Sequence, residues 1–361
     1  MIIGSISENN DIEKRISITP DIAKKYITSG FQIIIESGFG SHLGITDNEF
    51  LKEGCKIEKK ENVLKQSDII LQLNLPEESS LEHFKENNIL IGNFNSDQNS
   101  EKITKFKIKK TSIFSLELLP RITRAQSMDI LSSQANLAGY KAVVDSFAEF
   151  KKAIPMMMTA AGTISAAKVL VVGAGVAGLQ AIATAKRMGA IVFATDVRMS
   201  AKEQVESLGG KFLIVEGSEN LETEGGYAKE TSEEFKRKQE DLLAETLKKI
   251  DIVICTALIP GKKAPKIINE KMIENMKPGS IIYDLAASQG GNAAYTKVDE
   301  IVKKNGVTIL GEKNILNKLP VSASNLYAKN LFNFVLNLYD KENNKININL
   351  EDEIINKTLV K

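Results

Sequence analysis

A glycine-rich turn between two regular segments carries the clearest chemical signal in the sequence. Residues 168–172 form an apolar run, and residues 179–186 have the composition of a helix. Between them, Gly173, Gly175 and Gly178 have the spacing Gly-x-Gly-x-x-Gly. The first glycine allows a tight turn, the second lets backbone amides approach a pyrophosphate, and the third lets helix and strand pack closely. The pattern therefore predicts a dinucleotide site at a helix N-terminus.

A carboxylate at the end of the next apolar segment supports this prediction. Asp196 closes the segment 190–196, about 20 residues after the glycines, where the motif needs an acceptor for a ribose hydroxyl. A carboxylate there accepts from the 2′-hydroxyl of NAD and repels the 2′-phosphate of NADP, so we predict NAD(H). Arg198 follows two residues later and could accommodate a phosphate, which leaves NADP(H) as the alternative.

Composition and charge argue against several other classes of protein. The chain has 47 basic and 46 acidic residues, and this balance gives no electrostatic support for binding nucleic acid or an anionic membrane. The longest uncharged apolar segment, residues 169–185, is too short and too rich in glycine to span a bilayer. We see no signal peptide at the N-terminus and expect a cytoplasmic protein. Cys55 and Cys255 are expected to be buried, reduced thiols, and we predict no metal site.

Short apolar segments alternate with helix-like segments, which predicts two α/β domains, each a Rossmann-like, doubly wound parallel sheet. At 361 residues the chain exceeds what one hydrophobic core usually serves. In the first series we expect strands at residues 31–36, 68–73, 88–92 and 112–117. In the second series we expect six strands, near residues 168–172, 190–195, 212–215, 251–256, 280–284 and 307–310.

Two helix-like segments, residues 127–150 and 322–339, are expected to connect the domains. The first domain is then discontinuous and contains residues 1–135 plus 322–361, and residues 136–321 form the nucleotide domain. The cofactor is expected in a cleft between the domains, at the carboxyl ends of the second set of strands.

A polar run between the two series collects further candidate groups. Arg121 and Arg124 are followed by Gln126, Asp129 and Ser132, which fall three apart. If this segment is helical, the last three share a face and Arg121 could fold back against Asp129. From the spacing alone, a solvated helix start with a salt bridge is the more typical interpretation.

That run and six further segments closely resemble the NAD(H)-binding domain I of proton-translocating nicotinamide nucleotide transhydrogenase. The six segments are residues 136–140, 155–163, 173–187, 202–212, 225–230 and 256–261. The resemblance extends over nearly the whole chain and is closest to family members in which domain I is a separate soluble subunit. It implies a Re/Si-specific enzyme that passes a hydride between NADH and NADP⁺ and couples this transfer to proton translocation.

The resemblance also implies which residues contact the nucleotide. In the family, a loop with an arginine, a glutamine and an aspartate holds the dihydronicotinamide, and a tyrosine of a mobile loop closes over the nucleotide. The matching catalytic positions are Arg121, Gln126, Asp129, Ser132 and Tyr227. The other implied contacts with NAD(H) are Ile122, Thr123, Arg124, Ser127, Met128, Gly173, Gly175, Val176, Gly178, Asp196, Val197, Arg198, Gly226, Gln239, Thr256, Ala257 and Leu258.

The partners implied by the resemblance are a second copy of the chain, a membrane-domain subunit that forms the second portion of a split alpha subunit, and a beta subunit that binds NADP(H). They imply a peripheral position on the cytoplasmic face of the inner membrane, without direct membrane insertion. Two features depart from the family pattern. Ser288 stands where we expect glutamate, and residues 315–324 differ from the family's segment.

Alanine dehydrogenase shares this architecture and is the main alternative. Its reaction moves protons and needs positioned lysine and histidine side chains. Asn74 stands where that lysine would fall, and Asn93 stands near the histidine position. The only histidines of the sequence, His42 and His83, lie in polar segments that we expect to face solvent. Direct hydride transfer moves no proton at the reacting carbon, so we favour the transhydrogenase; a non-catalytic NAD-binding module is a third possibility.

Overall fold

The computed structural model describes residues 1–215, 232–258 and 262–361. The chain divides into two compact units. Unit 1 contains residues 1–134 and 316–361, and unit 2 contains residues 135–315. Each unit is built on its own, mostly parallel sheet, which confirms the predicted α/β fold class with Rossmann-like sheets.

Unit 1 begins with six strands and four helices. The strands are β1 (Ile2–Ser5), β2 (Gln32–Glu36), β3 (Lys56–Glu58), β4 (Ile69–Leu71), β5 (Ile89–Gly92) and β6 (Ser112–Ser115). The helices are α1 (Pro20–Thr28), α2 (Asp47–Lys52), α3 (Lys60–Gln66) and α4 (Ser100–Lys107). The sheet order is β3-β2-β1-β4-β5-β6, and all pairings are parallel. The four predicted strands are present, and β1 and β3 are additional.

Unit 2 begins within α5 (Ile130–Glu149), which contains the boundary between the units. Its strands are β7 (Met157–Thr159), β8 (Gly162–Ile164), β9 (Lys168–Val172), β10 (Ile191–Thr195), β11 (Lys211–Phe212), β12 (Ile252–Cys255), β13 (Ile281–Asp284), β14 (Glu300–Lys304) and β15 (Val307–Gly311). Its other helices are α6 (Val176–Arg187), α7 (Ala201–Ser207), α8 (Glu233–Leu247) and α9 (Glu270–Glu274). Strands β7 and β8 form a separate hairpin.

The main sheet of unit 2 has the order β11-β10-β9-β12-β13-β15-β14. Strands β9, β12 and β13 are buried along almost their whole length, as expected for parallel strands covered on both faces. The six predicted strands are present, but the expected count of six was wrong. A seventh strand, β14, pairs antiparallel with β15 at the edge. Its residues are mostly polar and exposed, so it lacks the apolar pattern of a core strand.

The chain then returns to unit 1 through α10 (Pro320–Leu338), β16 (Tyr339–Asp340), β17 (Lys345–Ile346) and α11 (Glu353–Thr358). Helix α10 buries Leu331 and Phe334 in the same core as Ile3 and Phe114. The backbone N–H of Val360 donates to Ile113 of β6 at 2.9 Å, which attaches the C-terminal segment to the sheet. Over the described ranges, no helix is both long enough and apolar enough to cross a bilayer.

The two cysteines are buried and free, as the sequence predicted. Burial raises the pKa of the Cys55 thiol to about 12, and the nearby Glu53 carboxylate adds to this shift. Burial also raises the pKa of Cys255, which lies in β12. Both side chains therefore stay protonated and act as apolar core groups.

Candidate nucleotide-binding site

The glycine turn lies at the carboxyl end of β9, the central strand where the order of the unit 2 sheet reverses. Gly173 has a φ of +94°, a conformation that side chains disfavour. A Cβ added to Gly178 would lie 1.9 Å from the carbonyl oxygen of Gly173, so only glycine allows α6 to approach the turn this closely. A Cβ added to Gly175 would meet no described atom within 4 Å. Gly175 therefore borders open space at the start of α6, where the unpaired first-turn amides can receive an anionic group.

Asp196 lies beside this turn, immediately after β10. Its carboxylate accepts hydrogen bonds from the backbone N–H groups of Ala174 (2.7 Å) and Arg198 (2.9 Å). The Arg198 guanidinium adds two more, from Nε and Nη2, both at 2.9 Å. These four contacts use all of the roughly four acceptor positions that a carboxylate has.

The electrostatic environment keeps Asp196 ionised. Burial raises the pKa of this carboxyl, but the hydrogen bonds from Arg198 and from the N–H of Ala174, with the positive charge of Arg198, outweigh burial, and the pKa lies below its ordinary value. Only 7% of the side chain is exposed. The carboxylate thus stays ionised at neutral pH, paired with the Arg198 guanidinium.

The loop that follows β12 packs against the same turn. The Thr256 hydroxyl donates to the carbonyl oxygen of Gly173 at 2.8 Å, and the Thr256 N–H donates to Val172 at 2.8 Å. Leu258 and Val176 are both substantially exposed, at 42% and 40%. Val176 directly follows Gly175, and Leu258 belongs to the loop after β12, so both segments present an exposed apolar side chain.

Two buried residues that the sequence analysis did not assign to the site support this loop: Asn292 bonds it directly, and Asp284, the last residue of β13, bonds the segment that carries Asn292. Asn292 is fully buried, and its amide bonds to both the N–H and the carbonyl of Ala257, at 3.0 and 2.8 Å. Asp284, also fully buried, accepts from Thr296 at 2.7 Å and from Ala293 at 3.0 Å. The sequence signal that could have indicated them is an asparagine directly after two glycines, a few residues beyond an apolar run that ends in aspartate.

The polar run of unit 1 has a different local structure from the helix considered above. Residues Thr123–Met128 form a 3-10 helix, and α5 begins only at Ile130. Asp129 caps α5, because its carboxylate accepts from the Ser132 N–H (2.9 Å) and hydroxyl (2.5 Å). The condition for a helical face shared by Gln126, Asp129 and Ser132 is therefore not met, because the N-cap at Asp129 separates two helices of different type.

Contacts from the C-terminal segment of unit 1 fix this 3-10 helix. The side-chain amides of Asn330 and Asn333 donate to the carbonyl of Ser127 at 2.8 and 2.9 Å. Arg124 makes two hydrogen bonds of 2.7 Å to Asp352, the residue that caps α11. Ala125 and Met128 are buried in the core, whereas Arg121, Thr123 and Gln126 are not buried in it. The segment thus presents polar side chains from a fixed backbone.

Of the remaining residues predicted to contact NAD(H), two lie outside the described residues and three are half-buried. Gly226 and Tyr227 lie outside the described residues. Gln239 is half-buried on α8, and Val197 is half-buried beside Asp196. Ile122, which precedes the 3-10 helix, is also half-buried. No described contact joins these residues to a common ligand position, so their role stays a prediction.

The strand ends of unit 1 contain amides where alanine dehydrogenase would need proton-transferring groups. The Asn74 side chain donates to Glu8 at 3.0 Å, and Asn93 is half-buried. His42 is exposed, as expected, whereas His83 is half-buried and lies 3.4 Å from Glu82.

Family models match almost the whole length of the chain. The model described as alanine dehydrogenase/PNT, N-terminal domain, matches residues 4–138, and the model for the C-terminal domain matches residues 142–361. The chain belongs to the alanine dehydrogenase/PNT family. Both branches of that family name are represented among its relatives, so the family alone does not separate the two activities.

The degree of similarity differs between the branches. The first portion of NAD(P) transhydrogenase subunit alpha from Rhodospirillum rubrum is 47% identical, covering 100% of this chain and 96% of the relative. Alanine dehydrogenase 1 of Staphylococcus aureus is 25% identical, covering 94% and 88%. The crystal structure of transhydrogenase from Sinorhizobium meliloti matches with a TM-score of 0.89 and 42% identity, covering 99% of this chain and 98% of that one. The chain is thus much more similar to the transhydrogenase branch.

Proposed function

We propose that this chain is the NAD(H)-binding subunit of a proton-translocating, Re/Si-specific NAD(P)⁺ transhydrogenase. In this role a hydride passes directly between NADH and NADP⁺ held on a partner subunit, coupled to proton translocation. The observation that carries the proposal is the 47% identity, over the full chain, to a relative named as the first portion of this enzyme's alpha subunit. The proposed partners are a second copy of the chain, the membrane-domain subunit that forms the second portion of the alpha subunit, and the NADP(H)-binding beta subunit.

The residues around the glycine turn fit NAD(H). Gly173, Gly175 and the first-turn amides of α6 would hold the pyrophosphate, and Asp196 would accept from a ribose hydroxyl. Because all acceptor positions of Asp196 are in use, a ribose hydroxyl has to replace one of the Arg198 contacts. We expect NAD(H) rather than NADP(H), because the ionised Asp196 repels an added phosphate. When bound, NADH would supply the hydride.

The polar run of unit 1 suits the task of orienting the dihydronicotinamide. We propose that Arg121, Gln126, Asp129 and Ser132 hold this ring, with Tyr227 closing over the nucleotide. Arg121 and Gln126 lie in a segment that is anchored by core residues beside Gln126. The segment is also held by the hydrogen bond from Asn330 to the carbonyl of Ser127. Fixed donors and acceptors favour a reaction in which positioning supplies most of the acceleration.

The absence of a suitable acid–base pair at residues 74 and 93 supports hydride transfer without a substrate proton. Asn74 and Asn93 cannot donate or accept a proton at neutral pH, and Asn74 is already bonded to Glu8. Alanine oxidation would require such groups near the reacting carbon. We therefore propose nucleotide-to-nucleotide transfer, with the chain acting as a peripheral subunit on the cytoplasmic face of the inner membrane.

The proposal is tested by mixing the purified chain with an NADP(H)-binding transhydrogenase domain and following reduction of an NADP⁺ analogue by NADH. An assay with L-alanine and NAD⁺ runs alongside. We expect transfer that requires both proteins and no NADH formation from alanine. Asp129→Asn should depress transfer far more than NADH binding, and Asn343→Asp, a change at an exposed residue, should alter neither.

The other outcomes have distinct meanings. Alanine-dependent NADH formation would assign the chain to the alanine dehydrogenase branch. NADH binding and docking of the two proteins without transfer would make the chain a non-catalytic nucleotide-binding module. Either result would contradict the proposal.

A further inference from the structure

We infer that Asn292 is a positioning residue for the nucleotide: its buried amide holds the loop Thr256–Leu258 against the glycine turn. The inference rests on the proposed NAD(H) binding. It assigns a role to a residue that is not expected to touch the nucleotide and that acts through the backbone of another segment. Its effect is expected at the pyrophosphate, because that is the group the glycine turn receives.

The Asn292 amide makes three hydrogen bonds, all to Ala257 and Pro265. Its Oδ1 accepts from the N–H of Ala257 at 3.0 Å, and its Nδ2 donates to the carbonyls of Ala257 at 2.8 Å and Pro265 at 2.9 Å. The side chain has no exposed surface. The side-chain amide therefore pairs with both the N–H and the carbonyl of Ala257, as a neighbouring backbone strand would. In a buried environment these bonds fix the orientation of the Ala257 backbone.

Thr256 connects the fixed loop to the glycine turn. Its hydroxyl donates to the carbonyl of Gly173 at 2.8 Å. A Cβ added to Gly173 would lie 2.8 Å from the Thr256 hydroxyl oxygen, and a Cβ added to Gly178 would lie 3.1 Å from that hydroxyl oxygen. The hydroxyl thus lies between the first and third glycines of the motif, and a shift of the loop would move the turn.

The end of β13 in turn fixes Asn292. Asp284 accepts from the N–H of Ala293 at 3.0 Å and from the Thr296 hydroxyl at 2.7 Å, and a Cβ on Gly291 would lie 2.8 Å from this carboxylate. The backbone carbonyl of Asn292 accepts from Ile267 and Ile268 at 2.8 and 3.0 Å. A continuous set of hydrogen bonds therefore leads from β13 to the turn after β9.

The test substitutes the amide with minimal change of shape. Asn292→Asp keeps an acceptor for the N–H of Ala257 but replaces the donor to the carbonyls of Ala257 and Pro265 with an oxygen. Asn292→Ala, which introduces no charge, is made alongside because the aspartate variant can fail to fold. The matched control is Asn88→Asp in unit 1. Asn88 is 1% exposed, and its Oδ1 accepts from Thr111 at 2.8 Å.

The readouts are dissociation constants for NADH and for ADP-ribose, which has the pyrophosphate but lacks nicotinamide, with thermal unfolding measured for each variant. We expect both Asn292 variants to weaken both ligands by the same factor, roughly tenfold, as for loss of a buried supporting contact. Asn88→Asp should lower the unfolding temperature and leave both constants unchanged. A role confined to stability would move the unfolding temperature alone.

Three results would overturn the inference: unchanged affinities in a folded Asn292 variant, weaker NADH binding with unchanged ADP-ribose binding, or an equal loss of affinity in Asn88→Asp. Failure of the proposed function is recognised separately. If the unsubstituted chain binds NADH but transfers no hydride to the partner's nucleotide, the enzymatic role fails and the positioning role is unaffected. If the unsubstituted chain binds no NADH, both fail.

Discussion

The two sheets of this chain have the same central strand order but different chemistry where that order reverses. In unit 2, only residues 173–175 separate β9 from α6, so a helix N-terminus lies directly at the strand end. In unit 1, residues 6–19 separate β1 from α1. A crevice at the reversal point is general for such sheets, but a short glycine turn is what gives it free amides.

Polar side chains of unit 1 occupy the equivalent strand end and make hydrogen bonds with the backbone there and with each other. The Ser5 and Ser17 hydroxyls donate to the carbonyl of Leu71 at 2.7 and 2.9 Å, and Gln72 Oε1 accepts from the N–H of Ile6 at 3.0 Å. Strand order alone therefore does not make a nucleotide site. The residues directly after the first strand decide whether backbone donors remain available.

The largest expected effect comes from two closely packed glycines, Gly178 in α6 and Gly4 in β1. Gly178→Ala places a Cβ 1.9 Å from the carbonyl oxygen of Gly173, so the glycine turn and α6 have to move apart. We expect NADH affinity to fall by roughly a hundredfold or more. Gly4→Ala in β1 places a Cβ 1.9 Å from the Ser67 hydroxyl oxygen and 2.9 Å from Ser67 Cβ and Val63 Cγ1, so the nearest atoms it meets are side-chain atoms of α3 and of the residue after it, not backbone atoms. It should cost about 1–3 kcal/mol of stability without changing NADH affinity.

Calorimetric titration with NADH and urea unfolding of both variants check this prediction. An equal loss of NADH affinity in the two variants would remove the distinction between the sheets, because it would give both strand ends the same role.

A smaller effect is expected when the carboxylate near the reversal point of each sheet is replaced by an amide. These carboxylates are Asp196 in unit 2 and Glu8 in unit 1. Asp196→Asn removes the charge that holds Arg198 and should weaken NADH binding roughly tenfold while improving the relative affinity for NADPH. Glu8→Gln should leave both affinities unchanged, because Glu8 bonds to Leu73 and Asn74 within unit 1. Titrations with the two nucleotides measure the ratio. An unchanged NADH-to-NADPH preference in Asp196→Asn would contradict the assignment of Asp196.

The smallest expected effect concerns pH. The contributions of Glu8 and Asp196 to the free energy of unfolding should change with pH in opposite directions. Burial raises the pKa of Glu8 above its ordinary 4.5, more than the hydrogen bonds from Asn74 and Leu73 lower it. Its ionisation therefore costs stability as pH rises from the unfolded pKa through the folded pKa. The pKa of Asp196 lies below its ordinary 3.8, so its stabilising contribution is present above that value and is lost as pH falls through the folded pKa.

Urea unfolding across this acidic range distinguishes the two groups. Relative to the unsubstituted chain, Glu8→Gln should be more stable at neutral pH and equal in acid, whereas Asp196→Asn should be less stable at neutral pH and equal in acid. The same sign of change for both variants would show that the two carboxylates do not differ as described.

Local sequence was sufficient for the features whose causes are local. The strands β9, β12 and β13 are continuous apolar runs because both of their faces are buried, and the glycine turn follows from backbone conformation and close packing. Strand β3, with one exposed and two half-buried residues, and the polar edge strand β14 carry no comparable pattern. Their positions depend on pairing with distant segments.

Several contacts of the candidate site could not be predicted for the same reason. The 3-10 helix before Asp129 is fixed by Asn330 and Asn333, which lie 203 and 206 residues from Ser127 in sequence. Asn292 binds Ala257 across 35 residues. Spacing along the chain predicts contacts within a helix or a turn, but these contacts join segments that are far apart in sequence and exist only in the folded chain.

Direct transfer between nucleotides can be followed with NADH that carries deuterium at the transferred position of the dihydronicotinamide. The chain and an NADP(H)-binding transhydrogenase domain are mixed with this NADH and an NADP⁺ analogue in ordinary water, and the reduced product is analysed by mass spectrometry. We expect the deuterium to appear in the product, because the hydride passes directly between the nucleotides and no side chain exchanges it with solvent. Product without the label would mean that the hydrogen comes from another donor or from water, and direct transfer would be wrong.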